Sequence, residues 1–150
     1  MDGRSLEQAR GVGSRSAFNR ASERELLRAL PACPGVYVVL FPSMELRARG
    51  RSDIAYIGKA TNQKGLRGRV RHYYHPGPTQ STNIAMHDRL CQPNCQLRLG
   101  FVMCENAPAA RRLESDLLIE FEAEHGERPR FNRQAALDLL SRIAESKPAG

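Results

Sequence analysis

Pro34-Gly35-Val36-Tyr37-Val38-Val39-Leu40-Phe41-Pro42 and, after an arginine-bearing loop, Ile54-Ala55-Tyr56-Ile57-Gly58 form the stretch on which the fold turns. The first run is β-branched and aromatic between two prolines, so it reads as a strand over 36–41; the second reads as a short strand over 54–58. Only a polar loop with Gly50 separates them, which makes an antiparallel hairpin the natural pairing.

Beyond this pair, Leu66, Val70, Tyr73 and Tyr74 have helical spacing between Gly65 and His75, while Arg67, Arg69 and Arg71 crowd the remaining surface. This predicts a basic helix. Pro76, Gly77 and Pro78 break it, and a second helix is expected from Thr82 to Leu90 with Thr82 as its cap. Leu97, Leu99, Phe101 and Met103 alternate with Arg98, Gly100 and Val102, as in a third strand. A long helix after Pro108 buries Ala110, Leu113, Leu117, Leu118 and Phe121 and stops near Gly126. Leu137, Leu139, Leu140 and Ile143 predict a final short helix. Toward the start of the chain, Ser22 and Glu25 spell a capping box for a short helix through Leu26, Leu27 and Leu30, ended by Pro31. Residues 1–21 are rich in Arg, Ser and Gly without apolar period and predict a flexible basic arm.

This order predicts an α/β protein of α+β type, a small three-stranded antiparallel sheet flanked by helices. The 150 residues suit one hydrophobic core, giving a single domain over 22–150 with an inserted segment near 76–95. A net charge of +7 and a pI near 9.7 favour encounters with polyanions through counterion release, which is consistent with nucleic-acid binding and goes no further. No run approaches the roughly 20 apolar residues of a bilayer span, and no secretory apolar segment opens the chain, so no membrane association and a cytoplasmic location are expected. Cys33, Cys91, Cys95 and Cys104 are too few and irregular for a disulfide framework. Cys91 and Cys95, with Cys104 or His87 nearby, lack the paired spacing of a zinc site, which leaves the cysteines as small buried hydrophobes.

Glu114 breaks the pattern of the long helix, sharing the apolar stripe of Ala110, Leu117 and Leu118. A partly buried carboxylate is costly unless paired, hydrogen-bonded or metal-bound, so two readings stay open: an ion pair with an arginine such as Arg111, and a metal ion. Tyr37 and Tyr56, taken singly, read as strand aromatics in the core, Tyr73 as core packing beside Val70, Lys59 as a solvated charge and Asn132 as a turn residue.

Pro34-Gly35-Val36-Tyr37 followed by Tyr56-Ile57-Gly58-Lys59-Ala60 resembles the paired signature of the GIY-YIG nuclease superfamily, with Val36 in place of the first isoleucine. Leu66-Arg67-Gly68-Arg69-Val70-Arg71-His72-Tyr73-Tyr74 is similar to the arginine-bearing helix of the nuclease that makes the 3′ incision in excision repair. Leu113-Glu114 and Arg128-Pro129-Arg130-Phe131-Asn132 resemble the family's glutamate and its closing element, so the resemblance covers roughly residues 33–134. It implies a metal-dependent endonuclease that hydrolyses DNA phosphodiester bonds, with RNA left open. The resemblance further implies that Tyr37 and Tyr56 lie beside the scissile phosphate, that Tyr37 assists the attacking water, that Arg69 contacts the phosphate and that Glu114 holds one Mg²⁺ or Mn²⁺. Lys59 would hold the phosphate or tune Tyr37, Tyr73 would touch the metal-bound water, and Asn132 would fix backbone or active-site geometry by hydrogen bonding. Lys64, Arg67, Arg71 and His72 are the expected nucleic-acid contacts.

The chain departs from that pattern at Gly68, which weakens the basic helix by about 1 kcal/mol relative to alanine, and in the length of the segment from Pro76 to Cys95, a natural place for substrate recognition. Two other readings compete: a nucleic-acid-binding module of the same fold without cleavage, and an interaction protein whose tyrosines and Glu114 are ordinary packing and ion-pair residues. Oligomeric state leaves no mark in the sequence.

Overall fold

The computed structural model describes residues 16–78 and 81–133. In chain order it contains β1 (Ser16–Ala17), a 3-10 turn (Arg20–Ser22), α1 (Glu23–Ala29), β2 (Gly35–Leu46), β3 (Arg51–Ala60), α2 (Gly65–Tyr74), α3 (Ser81–Leu90), β4 (Arg98–Met103) and α4 (Ala107–His125). The short helix expected around Leu139 and Leu140 lies outside the described residues. No helix among the described residues is long and apolar enough to cross a membrane.

The class is mixed α and β, as expected, but the antiparallel sheet has four strands in the order β1-β4-β2-β3 rather than three. The additional strand comes from the stretch expected to be a flexible arm: Ser16 and Ala17 pair with Leu99 and Arg98. Two residues are too few to display an alternating pattern. What holds them is the next residue, Phe18, fully buried, edge-on to Tyr73 and Tyr74 at 6.2 and 5.9 Å between centroids, with its N–H donating to the Leu97 carbonyl at 2.9 Å. One buried aromatic thus orders a segment whose composition reads as unstructured. The capping box also sits one turn earlier than expected. Asn19 and Ser22 exchange side-chain and backbone bonds around the 3-10 turn, and Ser22 makes no side-chain cap on α1.

The hairpin forms where expected, but β2 continues through Pro42 to Leu46. Pairing with β4 ends at Leu40, opposite Arg98, and the register against β3 jumps from Leu40 opposite Ile54 to Glu45 opposite Ser52. Pro42 falls inside that irregularity, where its missing N–H removes no ladder bond. The third helix begins at Ser81, so Thr82 lies within it.

Alternation along β2 builds two apolar layers. Tyr37 and Val39 face Leu66, Val70, Tyr73, Met86 and Leu90 from α2 and α3, while Val36, Val38 and Leu40 face Leu117 and Phe121 from α4. The sheet is therefore a shared wall between α2/α3 on one side and α4 on the other. Gly35 sets how closely that wall is approached: a Cβ there would lie 2.4 Å from the Val102 carbonyl oxygen and 2.7 Å from Leu66 Cδ1. Glycine lets α2 seat directly against the start of β2. Gly35→Ala is accordingly expected to destabilise the fold by about 1–3 kcal/mol, read as a lower midpoint in chemical denaturation; an unchanged midpoint would contradict this packing.

Candidate functional site

The site begins with a strand register. Tyr37 of β2 stands directly opposite Gly58 of β3. A Cβ on Gly58 would meet Tyr37 Cζ at 2.4 Å and Tyr56 Cε1 at 2.7 Å, so the missing side chain is what lets the Tyr37 ring lie across the neighbouring strand. Tyr56, two residues earlier on the same face, brings its ring centroid to 6.0 Å from that of Tyr37. From α2, the Tyr73 hydroxyl is hydrogen-bonded to the Tyr37 hydroxyl, with the two rings at 68°.

Arg69 lies one helical turn before Tyr73, so both side chains share a face. Its guanidinium carbon sits 4.6 Å from the Tyr73 ring centroid, and Nη1 donates to Asn83 Oδ1 at 2.8 Å. β3 is an edge strand, and at its margin side chains from both layers meet. Lys59 Nζ donates to Glu114 Oε1 of α4 at 2.9 Å. Tyr37, Tyr56, Lys59, Thr61, Asn62, Arg69 and Glu114 line one open cleft of about 280 Å³.

Glu114 is thus paired, and with a different residue from the arginine expected on its own helix. Its side chain is 17% exposed, and the cation it meets is Lys59 from β3, whereas Arg111 is exposed to solvent. A carboxylate on a half-buried helix face takes the charge that the adjoining layer offers, and that partner is invisible in the helix sequence.

Burial is the main reason that Tyr37 and Tyr73 hold their protons far above the ordinary phenol value, and the field of Tyr56 adds to it; the guanidinium of Arg69 opposes the shift without reversing it. For Arg69, burial works against the charge, and the surrounding phenols of Tyr37, Tyr73 and Tyr56 outweigh it, so the pKa lies above its usual value. The cleft therefore presents the Arg69 guanidinium and the Lys59–Glu114 ion pair around the protonated phenols of Tyr37 and Tyr73. Such a lining attracts an anion, and the field is stronger here than in open water.

The donors facing the cleft are oxygens: three kinds of hydroxyl or amide group and one carboxylate, with no thiol or imidazole among the lining residues. That set suits a hard divalent cation, which accepts one protein carboxylate and keeps several waters. The zinc arrangement considered for Cys91 and Cys95 does not form. No group of three or more His, Cys, Asp or Glu side chains fit for a metal exists among the described residues, and Cys91 is exposed while Cys95 Sγ donates to the Phe18 carbonyl. None of the four cysteines is fully buried, which corrects the expectation of small core hydrophobes.

Other expected site residues stand outside the cleft. Asn132 clamps the outer edge of β3: its Oδ1 accepts from Ile57 N–H and its Nδ2 donates to the Ile57 carbonyl, both at 2.9 Å. Lys64, just before α2, and Arg67 and Arg71 on it are exposed, and His72 is half-buried. By helical geometry Arg67 and Arg71 point about 160° away from Arg69, and His72 about 60°. Arg67 Nε donates to the Leu30 carbonyl at 2.8 Å, tying α2 to the end of α1. Sequence reasoning missed Thr61, Asn62 and Asn83. The first two directly follow the Gly58-Lys59-Ala60 run and are findable from it; Asn83 carries no local signal, because only the docking of α3 on α2 brings it to Arg69.

No family model and no curated protein matches the chain. Among solved structures, the GIY-YIG N-terminal endonuclease domain of UvrC from Thermotoga maritima, bound to its catalytic magnesium, is similar over 73% of this chain and 94% of its own, at 22% identity and a TM-score of 0.43.

The raised phenol values have a consequence in alkali. An unfolded chain ionises its tyrosines near pH 10, before Tyr37 and Tyr73 do so in the fold, so their contribution to stability is complete below about pH 10 and is lost as pH rises beyond it. In an ultraviolet titration, the tyrosinate signal lost in Tyr37→Phe is expected to emerge together with unfolding; ionisation of Tyr37 in an intact fold would contradict the burial argument.

Proposed function

We propose that the protein is a metal-dependent endonuclease that hydrolyses phosphodiester bonds in DNA. The observation that carries this reading is the convergence of Tyr37, Tyr56, Lys59, Arg69 and Glu114 on one cleft of about 280 Å³, large enough for a phosphate and a hydrated ion. A phosphodiester resists attack because its charge repels nucleophiles, so catalysis needs fixed positive charge where negative charge develops. Arg69 supplies it: the guanidinium is charged, half-buried and stacked on Tyr73, and it binds a non-bridging phosphate oxygen.

Glu114 is the residue that would hold Mg²⁺ or Mn²⁺, which when bound supplies further positive charge to the reacting phosphate. Lys59, now bonded to Glu114, would have to release the carboxylate for a metal to be held there, and its ammonium would then be available to the phosphate. Tyr37, protonated in the resting cleft, orients the attacking water through its hydroxyl; taking the proton itself requires added positive charge beside it, because burial holds the phenol strongly against ionisation. Tyr73 fixes the direction of the Tyr37 hydroxyl, Tyr56 flanks the phosphate, and Asn132 keeps β3 from fraying beneath them. The exposed Lys64, Arg67 and Arg71, with His72, supply a basic surface for the flanking backbone. A cytoplasmic setting suits such an activity.

One observation favours a second reading. Glu114 already holds a cation, Lys59, at 2.9 Å, which is what a nucleic-acid-binding module without cleavage would keep. Supercoiled plasmid, branched DNA and RNA, each incubated with Mg²⁺, Mn²⁺ or EDTA, separate the two. The wild type is expected to nick or cut DNA only with metal, and Glu114→Ala and Arg69→Ala to lose about 100-fold or more in rate. Metal-dependent binding without any cleavage would support the module instead.

A further inference from the structure

The segment from Pro76 to Cys95 invites a role in substrate recognition, yet its helix α3 reaches inward. Asn83 is 6% exposed, and its Oδ1 accepts the bond from Arg69 Nη1 at 2.8 Å. Four residues later, His87 Nδ1 lies 3.0 Å from the carbonyl oxygen of Tyr73. One helix therefore grips both the guanidinium and the backbone of the residue on which it stacks.

These contacts divide the work of aiming Arg69. Stacking on the Tyr73 ring, 4.6 Å away, fixes the plane of the guanidinium but leaves it free to turn and slide within that plane. A hydrogen bond to one Nη at the edge removes that freedom. Of five N–H donors, one is given to Asn83 and another is shared with Tyr56, which leaves the remainder to a phosphate. A buried amide costs stability unless its hydrogen bonds are met, and the bond from Arg69 to Oδ1 meets part of that need at Asn83.

Resting on the nuclease reading, we infer that Asn83 is a positioning residue, contributed by the inserted segment, that holds Arg69 in the orientation required to stabilise the reacting phosphate. A small misalignment of such a group costs rate without weakening ground-state binding in proportion. Asn83 touches no reacting atom; it acts through Arg69.

The test is a double-mutant cycle with a side-chain NMR readout. Asn83→Ala is expected to lower kcat on plasmid DNA by about 10- to 100-fold with KM little changed. Asn83→Asp keeps an acceptor oxygen at the same reach and is expected to recover most of that loss. In an Arg69→Ala background, Asn83→Ala is expected to add nothing, because its route of action is already gone. In ¹⁵N spectra of the arginine side chains, rotation of the Arg69 guanidinium should be slow in the wild type and in Asn83→Asp and fast in Asn83→Ala. Full activity in Asn83→Ala, or the same loss with and without Arg69, would overturn the inference. A wild type that cleaves nothing would end the nuclease reading, and the Arg69 signal would still decide the rest: mobility unchanged by Asn83→Ala would refute the anchoring, and a gain in mobility would uphold it.

Discussion

The register that sets Tyr37 opposite Gly58 is the constraint from which the rest of the site follows. Because a Cβ on Gly58 would meet Tyr37 Cζ at 2.4 Å, the phenol ring takes the space over β3 only while position 58 has no side chain. A one-residue slip would turn Tyr37 to the α4 layer and put Val36 or Val38 over β3 in its place. Each partner of Tyr37 then inherits its position: Tyr73 bonds to its hydroxyl, Arg69 stacks on Tyr73, and Tyr56 flanks it. The closeness of α2 to this register is secured separately by Gly35, which lies under Leu66.

Electrostatically the cleft is a balance between two cations and one carboxylate. Arg69 is fixed on three sides, by the Tyr73 ring, by Asn83 and by a hydrogen bond with Tyr56, whereas Lys59 is 40% exposed and held by its bond to Glu114. The difference matters chemically. A fixed guanidinium stabilises charge without reorganising, while a partly solvated ammonium can turn to another anion provided a new cation meets the 17%-exposed carboxylate it leaves. On the proposed reading, Lys59 neutralises Glu114 in the resting state and would yield the carboxylate to a divalent cation.

The legibility of the fold followed the length of its signals. The hairpin, the basic helix and the long α4 helix each carry several residues of regular period, and each lies where its pattern put it. The fourth strand escaped because Ser16 and Ala17 are only two residues, ordered by the burial of Phe18 rather than by any pattern of their own. Pro42 misled as a strand end, since a proline ends a strand only where its N–H is needed. In the site, residues within the paired signature or on α2 were nameable from sequence, and Tyr37, Tyr56, Lys59, Arg69 and Glu114 do share one cleft. The partner of Glu114 was not, because Lys59 comes from another layer. Asn83 was not either, because an asparagine on a weakly patterned helix acquires its neighbour only through tertiary docking.

The most direct test of the central claim is the position of a divalent cation in a crystal of the Tyr37→Phe protein with duplex DNA and Mn²⁺. The account predicts an anomalous peak at the Glu114 carboxylate, next to a DNA phosphate that Arg69 contacts, with Lys59 withdrawn from Glu114. A Lys59–Glu114 pair still closed at 2.9 Å, with no metal at the carboxylate and DNA bound on another face, would contradict it.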